Sequence, residues 1–378
     1  MTNPYDPQNP VKPDFFGGRK HILDTINTRI DKARTQKQSG GVLVYGYRGA
    51  GKTSLLKKII SIAVPFVENQ PQSNAISIYR RLSKTTSDVE LYQMLTEDLI
   101  QEIHQRKSLL EKLRSIPGQI SSAKIPLADI EFKLEESEGE ISQYHRWRSL
   151  VRSLGNADFV LIALDDADFL SPEALGNLKS IVEEQNKIPV ILAVSGGIEF
   201  EERLVDNYFP IARIFSGASF NVGEFEFKEM KEVLINPLIG QNTHWTEDGF
   251  KEAHNLSRGY PYLVQCIASA SYIENGAIDS PRVKASLNAA LNIGKPWLNH
   301  ELETASDNDF LSFLKIAESG KMAFKSSELS EMGIAPPYIG RLVSLGVLKK
   351  ISRGRYDMVK APIIAYYHVL LRGLKTST

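Results

Sequence analysis

The chain has 378 residues, 42% of them hydrophobic and 24% charged, with 45 basic and 45 acidic side chains. This exceeds the roughly 250–300 residues at which single cores stop growing, so two or three domains are expected, and the composition excludes global disorder. A formal net charge of zero excludes a surface built throughout to attract polyanions, so any nucleic-acid site must be local.

Residues 1–15 carry four prolines and predict an extended segment. The stretch holds no apolar core of a leader, and the longest apolar runs are strand-sized, from which a soluble cytoplasmic protein without membrane contact is expected. From Arg19 to about Gln38, Ile22, Ile26, Ile30 and Ala33 keep helical spacing. Gly40-Gly41 then breaks the pattern, and an apolar strand, a glycine loop and an apolar helix follow in succession. The run Ala75 to Arg80 predicts a second strand, and Ser87 to about Gln105 a helix. Residues 115–138 read as a decoration of the core, a partly alternating hairpin. A helix is predicted from Gln143 to Leu154. The runs Phe159 to Leu164 and Ile188 to Ser195 are β-branched and continuous, as in strands buried on two faces. SFNVGEF near residue 219 is the last strand of this set. Beyond Glu226 helices are expected to replace strands through Asn292, with the sole cysteine, Cys266, in a core helix rather than acting as a nucleophile. Residues 300–378 predict three short helices, Ser306 to Ala317, Ser327 to Met332 and Pro337 to Leu345. An alternating pair of runs from Leu348 to Val359 closes around a glycine turn.

Gly46-Tyr47-Arg48-Gly49-Ala50-Gly51-Lys52-Thr53 fits GxxxxGK[ST] between a strand and a helix, the context a phosphate-binding loop requires. Glycines let backbone N–H groups curl around phosphates, and the helix aims its positive dipole end at them. Gly46, Gly49, Ala50, Gly51, Lys52, Thr53 and the adjoining Ser54 therefore form the expected nucleotide-binding set. Lys52 is expected to reach the β and γ phosphates of ATP, and the Thr53 hydroxyl to ligate Mg2+. Magnesium also needs a carboxylate, and Asp165-Asp166 ends an apolar strand at a suitable distance downstream. Asp165 is the expected metal partner, through a water, and Asp166 the group that activates the attacking water. Asp168 is either a third polar contributor or a helix cap. Ser195 ends the strand expected between the P-loop strand and the acidic one, where it could orient the water or contact the γ phosphate.

These residues resemble AAA+ ATPases, particularly the replication-initiator clade and the related STAND and archaeal-type ATPases. The resemblance implies an α/β P-loop NTPase fold: a parallel sheet in a nucleotide-binding core (1–225), a helical lid (226–298) and a winged-helix domain (299–378). It also implies ATP hydrolysis. Phe16-Gly-Gly-Arg19 resembles the element that lies against adenine in those families, Ser195 matches their sensor 1 position, and Gly259-Tyr-Pro261 resembles their lid motif, which makes Pro261 a nucleotide-sensing residue. Asp166 replaces the glutamate many members carry and suits slow hydrolysis. Arg258 precedes the lid motif without a secure match to sensor 2. Arg213 holds the place from which the clade's arginine finger enters a neighbouring subunit, with Arg203 the alternative, so a homo-oligomer is implied. In the winged helix, Arg341 is expected on the groove-facing helix and Lys349, Lys350, Arg353 and Arg355 on the wing, a duplex DNA interface. The competing expectation is a signalling or defence ATPase whose winged helix docks a partner effector protein. A remodelling motor is less attractive, because no aromatic-hydrophobic pore loop is recognised.

Overall fold

The structure, a computed structural model, describes residues 3–67, 70–71, 73–105, 143–154, 157–184 and 188–374. The hairpin expected within 115–138 lies outside the described residues. Two compact units are present, Arg19–Val222 and the combination of Met1–Gly18 with Gly223–Thr378.

The first unit is a five-stranded parallel sheet of β1 (Gly40–Tyr45), β4 (Ile76–Arg81), β5 (Val160–Asp165), β6 (Val190–Gly196) and β7 (Ser219–Asn221), in the order β4-β5-β6-β1-β7. A two-residue hairpin, β2 (Phe66–Val67) with β3 (Gln70–Pro71), precedes β4. Every residue of β5 and β6 is buried, as their unbroken apolar runs require of strands covered on both faces. As expected, β6 separates the P-loop strand β1 from the acidic strand β5. The helices are α1 (Lys20–Gln36), α2 (Lys52–Ala63), α3 (Asp88–Gln105), α4 (Gln143–Ser153), α5 (Pro172–Glu183) and α6 (Phe200–Ala212). α1 to α4 match the helices expected from apolar spacing, whereas α6 was not anticipated; in α1 the buried side chains are Ile22, Ile26, Ile30 and Ala33.

Edge strand β4 alternates. Ile76 and Ile78 are buried, and on their side Arg80 makes a two-pronged contact with Asp98 of α3, at 2.6 and 2.8 Å. Tyr79 and Arg81 belong to the opposite face.

In the second unit α7 (Phe227–Ile235), α8 (Glu247–Ser257), α9 (Pro261–Ser271), α10 (Ser280–Ala285) and α11 (Leu287–Leu298) are followed by α12 (Asp307–Glu318), α13 (Ser326–Glu331), α14 (Pro336–Ser344) and α15 (Pro362–Leu371). The expectation that strands cease after residue 226 needs correction. β8 (Thr243–Trp245) pairs in parallel with β9 (Gly276–Ile278). Three-residue strands are too short to show alternation, and the β9 segment contains a glycine, so neither stands out from a helical background. An antiparallel sheet of β10 (Ala323–Lys325), β12 (Arg355–Met358) and β11 (Leu348–Ser352) follows, in the order β10-β12-β11. One hydrophobic core runs from Met230 and Trp245 through Phe310 and Phe313 to Ile363 and Val369. Residues 226–298 and 299–378 therefore share a core. The amino-terminal segment joins this unit through Tyr5, whose hydroxyl lies 2.9 Å from Trp245 Nε1. Cys266 is buried in α9, and burial pushes its thiol up to about 12, which leaves it inert at neutral pH. No helix among the described residues is long and apolar enough to cross a membrane.

The charged centre of this unit is Asp309, 1% exposed on α12. It closes a capping box with Ser306, accepting from the Ser306 N–H at 2.8 Å and hydroxyl at 2.7 Å. Arg341 of α14 binds the same carboxylate through Nε at 2.9 Å and Nη2 at 2.7 Å. Burial pushes the carboxyl up, but the donors from Arg341 and Ser306 outweigh burial and hold it down at about 2. A carboxylate depressed below its unfolded value near ~3.9 contributes stability that is complete above about pH 4 and is lost as pH falls toward 2. Asp309→Asn is therefore expected to lower the thermal midpoint at pH 7 by about 5 °C and to flatten the acid loss between about pH 4 and 2, as followed by circular dichroism. Equal midpoints and equal acid profiles would contradict this role.

Candidate functional site

The site forms where β1 leaves the sheet. Gly46 donates its N–H to the Gly196 carbonyl and adopts φ 154°, and a Cβ there would stand 2.2 Å from the Val222 carbonyl oxygen. Only glycine fits that approach. Gly51 caps α2 with φ 89°, a left-handed turn that brings Lys52 to the first helical position. Thr53 and Ser54 follow in the first turn, and Ala50 is buried. The helix N-terminus and the loop N–H groups supply an anion-binding concavity.

Lys52 Nζ donates to the carbonyls of Gly46 and Tyr47, at 2.9 and 3.0 Å. Burial lowers the Lys52 pKa, and the charges of Asp166, Asp165 and Asp168 work against that lowering. The loop thus holds a desolvated ammonium beside three carboxylates.

Asp165, at the end of β5, has no exposed surface. Its Oδ2 accepts from the Thr53 hydroxyl at 2.6 Å and from the Tyr79 hydroxyl at 3.0 Å, and its Oδ1 accepts from the Ser195 hydroxyl. Ser195, also fully buried, in turn accepts the Asp166 N–H at 3.2 Å. Ser195 is therefore joined to both acids at the strand ends. Asp166 itself adopts a left-handed conformation, φ 57°. Arg81 Nε lies 2.8 Å from Asp166 Oδ2, and this hydrogen bond, followed by the charge of Asp166, raises the Arg81 pKa. Burial first, then the charge and hydrogen bond of Asp165, push the Tyr79 phenol well above its ordinary range. Asp168 accepts the Gly197 N–H on both oxygens, at 3.0 and 2.8 Å, tying the end of β5 to that of β6. The helix cap before Pro172 is Ser171 instead, which accepts the Ala174 N–H, so the capping alternative for Asp168 does not hold.

The P-loop, Asp165, Asp166 and Ser195 are thus brought together in one unit. Tyr79 and Arg81 join them without having been anticipated. Their signal was the alternation of β4: two polar side chains two residues apart, facing away from the core, beside a strand that ends in acids.

The remaining expected residues are distributed over both units. Phe16 belongs to the second unit, where its carbonyl accepts from Asn236 Nδ2 at 3.1 Å, whereas Arg19 begins the first unit and is buried. Pro261 is buried at the start of α9. Arg258 donates to the Met358 carbonyl at 3.1 Å. Arg203 donates to the Asp168 carbonyl at 2.6 Å and stacks on Phe200, which holds it inside its own unit, whereas Arg213 is 68% exposed and 3.8 Å from Glu183. Lys349, Lys350, Arg353 and Arg355 are all exposed around the β11–β12 turn. Arg341, expected on the groove-facing helix, lies half exposed on α14 and engages Asp309 through Nε and Nη2.

Residues 16–193 match the family model of the AAA ATPase domain. The fold is similar to that of the ORC2 protein of Aeropyrum pernix, solved as ADPNP–ADP complexes, at 12% identity over 94% of this chain and 95% of that one, with a TM-score of 0.53. The Walker-type ATPase of Pyrococcus abyssi aligns over 93% of this chain and 97% of its own at 18% identity, with a TM-score of 0.48. No curated protein matches the chain in sequence.

Proposed function

We propose that this chain, an AAA ATPase through residues 16–193, binds ATP with Mg2+ in its P-loop and hydrolyses it slowly, as a nucleotide switch that associates with duplex DNA. The observation that carries the reading is the 2.6 Å contact between the Thr53 hydroxyl and the buried Asp165 carboxylate under the loop. A hydroxyl and a carboxylate are the hard oxygen donors magnesium takes, so the pair fits that ion. Bound there, the ion would neutralise charge on the phosphates.

The protein groups divide the remaining tasks. Loop N–H groups and the α2 dipole hold the phosphates, and Lys52 turns from the Gly46 and Tyr47 carbonyls toward them. Asp166 orients and deprotonates the water, with its backbone fixed through Ser195. Its short side chain and its tether to Arg81 favour low turnover. The exposure of Arg213 supports a finger role in a homo-oligomer, and the internal bonds of Arg203 argue against the alternative.

The order helix, strand, helix, helix, strand, strand from α12 to β12 supports the winged-helix reading. The four basic side chains around the turn suit phosphate contacts, which carry affinity rather than sequence information. Engagement of Arg341 by Asp309 puts the weight of the DNA reading on these phosphate contacts; the second reading is a winged helix that docks a partner protein.

Two substitutions separate binding from chemistry. Lys52→Ala should weaken ATP at least about tenfold, or ~1.4 kcal/mol, in calorimetric titration. Asp166→Asn should leave binding intact while phosphate release slows by roughly two to four orders of magnitude. Unchanged ATP affinity in the first variant would sink the loop assignment, and undiminished release in the second would move the base elsewhere.

For DNA, neutralising about three phosphates gives a log-affinity against log-salt slope near −2.7. Lys350→Ala with Arg353→Ala should flatten it by up to about 2 and weaken all sequences alike. Absence of duplex binding at low salt, with and without ATP, would reject the DNA reading in favour of protein docking.

A further inference from the structure

We propose that Tyr79 is a positioning residue for magnesium: its hydroxyl sets the Asp165 carboxylate so that metal and nucleotide bind as a coupled pair. The inference rests on the nucleotide reading of the P-loop and adds to it a residue from an edge strand that carries no nucleotide-binding motif.

A carboxylate offers about four lone-pair positions. At Asp165 three are taken by hydroxyl donors: Ser195 on Oδ1, with Thr53 at 2.6 Å and Tyr79 at 3.0 Å on Oδ2. One position is left, enough for a single metal-bound water and too few for chelation. The donors differ in what holds them. Thr53 rides on α2 directly behind the loop, and Ser195 is shared with the Asp166 N–H. Tyr79 projects from β4, which is locked to β5 by unbroken parallel register from Ile76↔Val160 to Arg81↔Asp165. Its hydroxyl is therefore a donor fixed by the sheet, independent of how the loop and α2 adjust. The pleat places Arg81 on the same face two residues on, so one strand grips Asp165 with a phenol and Asp166 with a guanidinium. With Tyr79 removed, Oδ2 keeps only Thr53, and the carboxylate would follow the loop instead of presenting a set oxygen to the metal's water.

A hydrogen bond that merely stabilised the fold would leave metal coupling untouched, and this separates the two roles. ADP affinity of the full chain is measured by calorimetry in EDTA and across a Mg2+ series, for the wild type, Tyr79→Phe and Tyr79→Leu, with melting midpoints as a check on folding. The expected result is metal-free ADP affinity within about twofold of wild type, and a Mg2+ half-saturation raised roughly tenfold in both variants, the size of one lost hydrogen bond to a charged group. Wild-type magnesium coupling in both variants would overturn the role of Tyr79 and leave the P-loop reading standing. A wild-type protein whose ADP affinity ignores Mg2+ would overturn the metal site and this inference together.

Discussion

A carboxylate without exposed surface must be matched by donors, since leaving an ionised group unpaired in a low-dielectric interior costs several kcal/mol or more. Asp165 is that group, and the surrounding arrangement answers it. The P-loop helix brings Thr53, the neighbouring strand Ser195 and the edge strand Tyr79, so three separate elements converge on two oxygen atoms. Each contact also fixes something else. Thr53 ties the loop to β5, Ser195 carries the orientation of Asp165 over to the Asp166 backbone, and Tyr79 ties the sheet edge to Asp165. Hydrogen bonds to an ionised acceptor are stronger than neutral ones, which lets so few contacts fix the site.

The parts of this arrangement that were legible in the sequence depend on local signals. Glycine spacing before Lys52, unbroken apolar runs ending in Asp165-Asp166 and Ser195, and helical periodicity are all read within a few residues. They located the loop and both acids, while the order of the strands around them came from the family resemblance. Tyr79 and Arg81 were missed because their roles depend on which strand lies beside β5, a fact no window around residue 79 contains. The short pair β8 and β9 escaped for the opposite reason, since three residues hold too little pattern to register. Arg341 looked like a surface base on a short helix. Its partner Asp309 lies 32 positions away and reads, locally, as an ordinary capping residue.

The second unit shows the same logic at larger scale. Residues 226–298 read as helices throughout and 299–378 as three short helices followed by a pair of alternating runs, which suggests separate domains. The structure gives them one hydrophobic core, and Asp309 with Arg341 anchors α12 to α14 within it. Charge that composition would assign to a nucleic-acid face is partly spent on holding that core, while the four basic side chains at the β11–β12 turn remain exposed.

The central claim is that the hydroxyl of Thr53 and the carboxylate of Asp165 receive a divalent cation beneath a nucleotide held by residues 46–54. Crystals grown with ADP and Mn2+, with anomalous diffraction recorded at the manganese edge, test it directly. The account predicts one manganese peak within about 2.5 Å of Thr53 Oγ1, with Asp165 beyond a bound water and the diphosphate against the loop N–H groups. Nucleotide bound away from residues 46–54, or manganese remote from both Thr53 and Asp165, would contradict it.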